Sequence, residues 1–323
     1  MNSLAGPKVV ALGGGHGLAA SLSALRRISG RLTAIVTVAD DGGSSGRLRA
    51  ELGVLPPGDL RMALAALCGD DDWGQTWARV LQHRFAGGGE LHGHAAGNLL
   101  IVALWELLEG RHVEGLDWVG RLLGAQGRVL PMSAVPLDIE ALVGLPDGAG
   151  GRTIIEVHGQ HEVATTTGSV VSVRLVPEDP PACPEALEAI ADADWIVMGP
   201  GSWFSSVLPH LLLPELREAI VTSRARHAVT LNLSPERETR GYTPEMHLEV
   251  LAAYAPELTI DVVIADPASV PDTGLLREVA ADFGAEVLVS DVQVGDGTPR
   301  HDPARLADAY AKAFGHGRIA PWP

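Results

Sequence analysis

The sequence is poor in lysine and cysteine. Lys8 and Lys312 are its only lysines, so a catalytic lysine is almost excluded. Side-chain contacts to phosphate must therefore come mostly from arginine, whose planar guanidinium donates paired hydrogen bonds. Cys68 and Cys183 are its only cysteines. This number excludes a disulfide framework and a cysteine-rich zinc site, and it favours a reducing compartment.

The chain also lacks positive charge and long apolar runs. It has 40 acidic and 24 basic residues and a formal net charge of −16 at pH 7. Such a charge repels polyanions, which argues against binding of nucleic acid or an anionic membrane. The longest apolar stretch, residues 99–108, is too short to span a bilayer, and no N-terminal signal is visible. We therefore expect no membrane insertion and a cytoplasmic location.

What is present is the composition of an ordered globular protein, 46% hydrophobic and 20% charged. Short β-branched runs alternate with helical patterns, which predicts an α/β fold in which helices cover both faces of a mostly parallel sheet. The predicted strands cover residues 8–12, 33–39, 195–198, 229–233, 260–265 and 286–289. The predicted helices cover residues 18–28, 60–67, 75–85, 98–108, 184–191 and 303–314.

The middle of the chain has a different pattern. Residues 137–181 predict a small antiparallel excursion, in which strands 152–158 and 161–167 pair as a hairpin and 170–175 adds a third strand. A loop is expected at 146–151. We expect a single domain over residues 1–323, with an N-terminal nucleotide-binding half (1–136), this excursion, and a C-terminal half (182–323).

A glycine-rich turn follows the first predicted strand. Gly15, Gly17 and Ala20 satisfy the G-x-G-x-x-G/A spacing of dinucleotide-binding turns. Glycine lets a phosphate approach bare backbone, and the free N–H groups of the following helix favour an anion. The turn therefore predicts a site for the diphosphate of a nucleotide or nucleotide-sugar. A tight turn without ligand and an NAD site are the alternatives, and the missing Lys-Ser/Thr excludes a P-loop.

Acidic and hydroxyl side chains follow the second predicted strand. Asp40 and Asp41 are placed to reach a ribose hydroxyl or to hold Mg²⁺ against phosphate oxygens. Ser44 and Ser45 lie in the Gly-Gly-Ser-Ser-Gly loop that follows, where they can add anion contacts, and Arg47 is the nearest positive charge. The alternative is a solvated turn in which an aspartate caps a helix.

Three further polar segments precede predicted helices. Asp59 and Arg61 stand at a helix start, where Asp59 is alternatively an N-cap. A Gly-Pro-Gly-Ser turn after the strand at 195–198 repeats the arrangement of the first glycine turn. His92 and His94 lack a clear third ligand for zinc. Besides Asp59 and Arg61, the candidate ligand-binding residues of these segments are His94, Asn98, Gly199, Gly201 and Ser202.

With these motifs the chain resembles the YvcK-type gluconeogenesis factor family, a branch of the CofD-like proteins, in its actinobacterial variety. The resemblance extends in order over essentially the whole chain. The matching segments are Gly13-Gly-Gly-His-Gly-Leu18, Val36-Thr-Val-Ala-Asp-Asp-Gly-Gly-Ser-Ser-Gly-Arg-Leu-Arg49, Pro56-Pro-Gly-Asp-Leu-Arg61, His83-Arg-Phe85, Gly93-His94 with Gly97-Asn98, Gly127-Arg-Val-Leu-Pro131, Gly199-Pro-Gly-Ser202 and Arg300-His-Asp302. One departure is Asn232-Leu-Ser-Pro-Glu-Arg-Glu-Thr239, which lacks the glycine that the family carries there.

The resemblance implies a Rossmann-like three-layer α/β/α fold, binding of UDP-sugars such as UDP-N-acetylglucosamine (UDP-GlcNAc), and a role in cell shape and wall synthesis during gluconeogenic growth. It implies no established reaction. A protein partner in wall synthesis and a homo-oligomer are also expected. Spacing and resemblance together predict as ligand-binding residues Gly13, Gly14, Gly15, His16, Gly17, Leu18, Asp40, Asp41, Ser44, Ser45, Arg47, Asp59, Arg61, His94, Asn98, Gly199, Gly201 and Ser202.

Two functions remain open at this point. The first is a regulator that senses a nucleotide-sugar, and it is favoured because no residue is recognisable as a nucleophile or general base. The second is a CofD-like transferase that moves a phospho-hydroxyacid group from a nucleotide diphosphate to a deazaflavin. In that reading Asp40 and Asp41 hold a Mg²⁺ that stabilises the leaving diphosphate. A redox enzyme that uses NAD has only the glycine spacing in its favour, so NAD is expected at most as a fortuitous ligand.

Overall fold

The computed structural model describes residues 6–146 and 152–315. Residues 147–151 of the expected loop at 146–151 lie outside this range. The main sheet contains seven strands, all parallel to their neighbours. With the strands of both sheets numbered together in chain order, the strands of the main sheet are β1 (Lys8–Gly13), β2 (Arg31–Val36), β3 (Arg128–Pro131), β7 (Trp195–Met198), β8 (Arg226–Thr230), β9 (Val262–Ala265) and β10 (Glu286–Val289). Strands β4 to β6 form the smaller sheet described below.

Helices flank this sheet. In the first half they are α1 (Gly15–Leu25), α2 (Gly43–Leu52), α3 (Gly58–Ala66), α4 (Asp72–Gln82), α5 (Ala96–Leu107) and α6 (His112–Leu123). In the second half they are α8 (Pro184–Ala191), α9 (Pro209–Leu212), α10 (Pro214–Thr222), α11 (Pro244–Tyr254), α12 (Thr273–Asp282) and α13 (Pro303–Gly315), and a π-helical turn covers Trp203–Val207. The predicted α/β fold with a mostly parallel sheet is confirmed. Among the described residues, no helix is long and apolar enough to cross a membrane.

The strand order is β10-β9-β8-β7-β1-β2-β3. The chain builds β1, β2 and β3 outward in one direction, and it later returns to the other side of β1 to build β7 to β10. Strand order therefore reverses between β1 and β7. Ligands of open α/β sheets bind at such a reversal, outside the carboxyl ends of the strands.

The antiparallel excursion is confirmed as a three-stranded sheet in the order β5-β4-β6, formed by β4 (Asp138–Pro146), β5 (Arg152–His158) and β6 (Ser169–Val176). The predicted hairpin is wrong, because residues 160–165 form the short helix α7 (Gln160–Thr165) and β5 pairs with β4 instead. Val163 is the one fully buried apolar residue of that segment, too few for a half-buried strand. The missed strand β4 shows the required alternation, with Ile139, Ala141 and Val143 buried.

Other differences concern element ends. The second strand ends at Val36 rather than at residue 39, and β8 begins three residues before the predicted start because Arg226 pairs with Trp195 of β7. The sequence does not predict β3, α2 or α6. Four elements, β5, α8, β7 and β10, have the predicted bounds.

Candidate functional site

The glycine turn lies at the strand reversal and contacts the second Gly-Pro-Gly-Ser turn. A side chain at Gly17 would overlap the backbone of Pro200 and Gly201, so the two turns touch through bare main chain. Gly13 ends β1, and Gly199 directly follows β7, the strand beside β1. Both predicted anion-binding turns therefore meet at one place in the fold.

The predicted helix start at residue 18 is wrong, because α1 already begins at Gly15. Gly14 is its N-cap, in an extended conformation and without a side-chain capping bond, and Gly15 has a φ of +58°. Gly15, His16 and Gly17 thus form the first helical turn, whose N–H groups have no intrahelical partner. Their amides and the positive end of the helix dipole lie at the carboxyl edge of the sheet.

A cavity of about 280 Å³ opens between the two turns and the segment before α13. It is lined by His16, Gly17, Ala20, Pro200, Gly201, Asn232, Leu233, Ser234, Glu236, Pro299, Arg300 and His301. A larger cavity of about 740 Å³ includes Trp195 and Arg226, the first residues of β7 and β8. It lies at the amino ends of the strands, opposite the glycine turn, so the smaller cavity is the candidate ligand site.

The second turn has partners of its own. Asn232 forms two hydrogen bonds with Gly201, accepting from its N–H at 2.8 Å and donating to its carbonyl at 2.9 Å. The Ser202 hydroxyl donates to the carboxylate of Glu236. The Gly201 amide and the Ser202 hydroxyl are therefore engaged within the protein, and a ligand would meet Asn232 and Glu236 beside them.

A buried charged cluster lies on the other side of the glycine turn. Burial is the main cause that raises the pKa of Asp40, and burial together with the charge of Asp40 raises the pKa of Asp59 to about 7. The Gly15 amide and Arg61 act in the opposite direction on Asp59. Burial lowers the pKa of Arg61 to about 10, so its guanidinium remains charged at pH 7. In this cluster one positive charge, that of Arg61, lies near the two carboxyl groups of Asp40 and Asp59, so it balances their negative charge only in part.

A directional hydrogen-bond chain extends from Arg61. Its Nε donates to Asn98 Oδ1 at 2.8 Å, and Asn98 Nδ2 donates to the Ser44 hydroxyl at 3.0 Å. The Ala95 N–H also donates to this hydroxyl, at 3.3 Å. Ser44 then directs its own proton to His94 Nδ1, 3.0 Å away. This order puts the ring proton of neutral His94 on Nε2, and burial lowers the pKa of His94, which favours the neutral form.

The comparisons with known proteins agree with these motifs. The family described as 2-phospho-L-lactate transferase CofD matches residues 9–295, which is most of the chain. The chain belongs to the CofD family. A putative gluconeogenesis factor of Mycobacterium tuberculosis is 54% identical over 304 residues, which are 93% of this chain and 88% of that protein.

More distantly related proteins extend the match. The gluconeogenesis factor of Listeria innocua is 36% identical over 317 residues, which are 94% of each protein. A crystal structure of a UPF0052 family protein from Bacillus halodurans superposes with a TM-score of 0.82 at 32% identity, over 96% of this chain and all of that one. The predicted membership of the gluconeogenesis-factor branch is confirmed.

Two residues of the family motif point away from the charged cluster. The Asp41 carboxylate accepts the His161 N–H of α7 at 2.9 Å, whereas Asp40 hydrogen-bonds the Gly42 amide at 3.0 Å. Arg47 is exposed and donates to the carbonyls of Glu90 and His92 at 3.3 and 2.8 Å. The structure thus brings Asp40 together with Asp59 and Arg61, and it directs Asp41 to α7 and Arg47 to a neighbouring loop.

The prediction that the Gly-Gly-Ser-Ser-Gly segment of this motif forms a loop is wrong, because α2 begins at Gly43. Ser44 and Ser45 are buried in its first turn, and Ser45 hydrogen-bonds Asp40. Asp59 does not cap α3, whose N-cap is Pro57, but lies in the first turn of that helix. A side chain at Gly14 would overlap the Asp59 carboxylate, which shows how closely this group underlies the glycine turn.

Sequence reasoning missed three residues that complete the site of this CofD family member. Asn232 and Glu236 lie in the segment that departs from the family pattern. Glu238 of the same segment is buried, its carboxylate accepts the Phe204 N–H at 2.9 Å, and burial raises its pKa to about 7. Two glutamates two residues apart after a strand were the available signal. Outside this site, Glu140, Glu156 and His158 form a group with metal-ligand spacing on the antiparallel sheet.

Proposed function

We propose that this protein binds a nucleotide-sugar of the UDP-GlcNAc type at the strand reversal and acts as a cytoplasmic regulator of cell shape and wall synthesis during gluconeogenic growth. The observation that carries the proposal is the meeting of two glycine turns beside the cavity of about 280 Å³. Relatives named gluconeogenesis factor support the physiological part. A single domain, a homo-oligomeric state and a protein partner in wall synthesis belong to the same proposal.

The ligand's diphosphate would lie on the first turn of α1. The amides of His16 and Gly17 would face the diphosphate there, since the N-cap Gly14 offers no side chain, and Arg61 would supply a buried positive charge. One end of the ligand would occupy the cavity, where Asn232, Glu236 and Arg300 offer acceptors and donors for hydroxyl and amide groups. The other end would extend toward the neutral His94, which has Nε2–H as a free donor position.

Asp40 and Asp59 fit a divalent cation better than the sequence-based pair Asp40 and Asp41. Mg²⁺ prefers carboxylate oxygens, and a cation at this place would compensate the charge of Asp40, which helps to raise the pKa of buried Asp59. Bound Mg²⁺ would supply charge neutralisation for the diphosphate. This chain's residues would hold the ligand: Asp40 and Asp59 on the cation side, and Arg61 and the α1 amides on the phosphate side.

The same carboxylate pair favours a second candidate function, the transfer of a phospho-hydroxyacid group from a nucleotide diphosphate to a deazaflavin. The family description names a 2-phospho-L-lactate transferase. Titration calorimetry with UDP-GlcNAc, GDP and NAD, each with and without Mg²⁺, separates these functions. We expect UDP-GlcNAc to bind most tightly and Mg²⁺ to strengthen its binding. Tight GDP binding together with deazaflavin-dependent turnover would replace the regulator by the transferase.

The placement of the diphosphate predicts the effect of Gly15→Ala. The added Cβ has free space, since the nearest atom outside the adjoining backbone, Asp59 Oδ1, is 4.0 Å away. The fold should therefore survive with a strain of about 1–2 kcal/mol from the positive φ. Because the methyl group would stand where the phosphate approaches, we expect the dissociation constant for UDP-GlcNAc to rise at least about tenfold.

Gly53→Ala is the matched control for this substitution. Gly53 also has a positive φ, +66°, and open space around its Cβ position, but it ends α2 away from the glycine turn. It should carry a similar strain and bind UDP-GlcNAc like the unsubstituted protein. Equal affinity in both variants would show that the diphosphate lies elsewhere.

A further inference from the structure

Strand β5 forms an open edge of the three-stranded sheet. Within residues 6–146 and 152–315 it pairs with β4 on one side only, and every residue from Arg152 to His158 is exposed or half-buried. Ile154 is 51% exposed. The opposite edge is covered, since the Val173 N–H of β6 donates to the Tyr254 hydroxyl at 2.8 Å. A seven-residue edge with four β-branched residues and without proline or lysine is a template for another strand.

The hydrogen-bond pattern shows which backbone groups of β5 face outward. Gly159 donates its N–H to the Ile139 carbonyl at 2.8 Å, directly beyond the paired residues Glu140 and His158. In an antiparallel ladder, residues alternate between hydrogen bonding to the partner strand and pointing away from it. The N–H and C=O groups of every second residue therefore point to the open side. These residues are Arg152, Ile154, Glu156 and His158.

We propose that this edge pairs with β5 of a second copy of the chain, antiparallel, across a two-fold axis at Ile154. In this register Ile154 faces its own counterpart, and Arg152 of each copy faces Glu156 of the other. The three facing pairs exchange about six main-chain hydrogen bonds. The contact is isologous, as two-fold dimers require, and it would join two small sheets into one of six strands.

The charges of β5 select this register over its neighbours. An axis at Ile155 would set Arg152 against His158 and Ile154 against Glu156, which brings no opposite charges together. An axis at Glu156 would set two carboxylates against each other, which is destabilising. Only the axis at Ile154 pairs opposite charges and apolar side chains at the same time. Glu156 also lies 3.2 Å from Arg174, so an incoming arginine would join an ion pair that already exists.

The solvent-facing side of the small sheet also favours a second copy of the chain as the partner of β5. Leu142 of β4 stands opposite Glu156 and is 42% exposed, and Ile154 projects on the same face. Pairing of the two Ile154 side chains, each beside a Leu142, would cover apolar surface that the single chain leaves in water.

Charge exchange across the axis tests the proposal in the full chain. Sedimentation at micromolar concentration should show a dimer. Arg152→Glu and Glu156→Arg each create two like-charged pairs by symmetry, so each should raise the dimer dissociation constant at least about tenfold. The double variant Arg152→Glu/Glu156→Arg restores opposite pairs and should bind within about threefold of the original chain. A monomeric unsubstituted chain, or a double variant no better than the single ones, overturns the proposal.

Cysteine cross-linking tests the axis independently. Facing residues of a hydrogen-bonded pair have Cα atoms about 5.5 Å apart, within the range of a disulfide. Ile154→Cys should therefore give a disulfide-linked dimer on mild oxidation, because both native cysteines are buried. Val171→Cys, at a position 56% exposed on β6, is the matched control and should remain monomeric on a non-reducing gel. Equal cross-linking of both variants contradicts the register.

Discussion

Replacing Asp59 by asparagine is expected to stabilise the free protein and to weaken its Mg²⁺-dependent ligand binding. The pKa of this buried carboxyl is raised from 3.8 to about 7. The folded protein thus holds the proton more tightly than the unfolded chain does, so stability falls as the pH rises from about 4 to about 7 and then levels off. A rise of this size corresponds to about 4 kcal/mol.

Asparagine has a similar shape but cannot ionise, so Asp59→Asn should lack this pH-dependent loss. We expect its free energy of unfolding at pH 8 to be higher by up to about 4 kcal/mol, measured by urea denaturation. Its affinity for UDP-GlcNAc in Mg²⁺ should fall at least about tenfold, because even outer partners of a metal site are worth that much. Unchanged stability at pH 8 with unchanged Mg²⁺ dependence would contradict both expectations.

Asp41→Asn is the matched control for Asp59→Asn. An asparagine oxygen can still accept the His161 N–H, so its stability should change by less than about 1 kcal/mol. Its Mg²⁺ dependence should be that of the unsubstituted protein if Asp40 and Asp59 form the pair. A selective loss in Asp41→Asn would restore the sequence-based assignment of Asp40 and Asp41.

Arg61→Met is expected to have the largest destabilising effect of the site substitutions. It removes the buried cation beside Asp40 and Asp59 and the donor to Asn98 Oδ1, and it leaves two carboxyl groups without their counter-ion. Loss of one member of a buried charge cluster costs about 3–5 kcal/mol, measured by urea denaturation. Calorimetry with UDP-GlcNAc should show at least about hundredfold weaker binding, since the diphosphate loses its buried arginine.

Arg61→Lys keeps the prediction testable if the methionine variant does not fold. Lysine retains the charge but lacks the Nε donor and the planar fork, so it should fold at a cost of about 1–3 kcal/mol and still bind weakly. Arg47→Lys is the matched control, because exposed Arg47 contacts loop carbonyls and should tolerate the change. Equal affinity in Arg61→Lys and Arg47→Lys would show that Arg61 does not contact the phosphate.

The sequence predicted those parts of the fold in which one interaction dominates. β7 is apolar at every position, and α8 begins with proline, so both have the predicted bounds. The bounds of α1 and α2 could not be predicted in the same way. Glycine and serine runs are typical of loops, but here close packing of Gly17 on Pro200 and burial of Ser44 extend each helix into its glycine motif.

The candidate site was predicted as a list of residues but not as an arrangement. Asp40 and Asp41 are adjacent in sequence, yet neighbouring residues of an extended segment point in opposite directions. Only the structure shows that Asp59, 19 positions after Asp40, approaches the glycine turn. Asn232 was missed because a side chain that hydrogen-bonds a turn 31 positions earlier leaves no local pattern.

Gly159, Gln160 and His161 connect the small sheet to the segments that follow β2 and β7. The His161 N–H holds Asp41 after β2, and Gln160 Nε2 donates to the Ser205 carbonyl after β7 at 3.0 Å. Gly159 has a φ of +94°, and a side chain there would overlap Asp41. Because this tripeptide directly follows β5, its hydrogen bonds to Asp41 and Ser205 fix the end of that strand to the main sheet. Three residues thus join the open edge of the small sheet to segments that follow two strands of the main sheet.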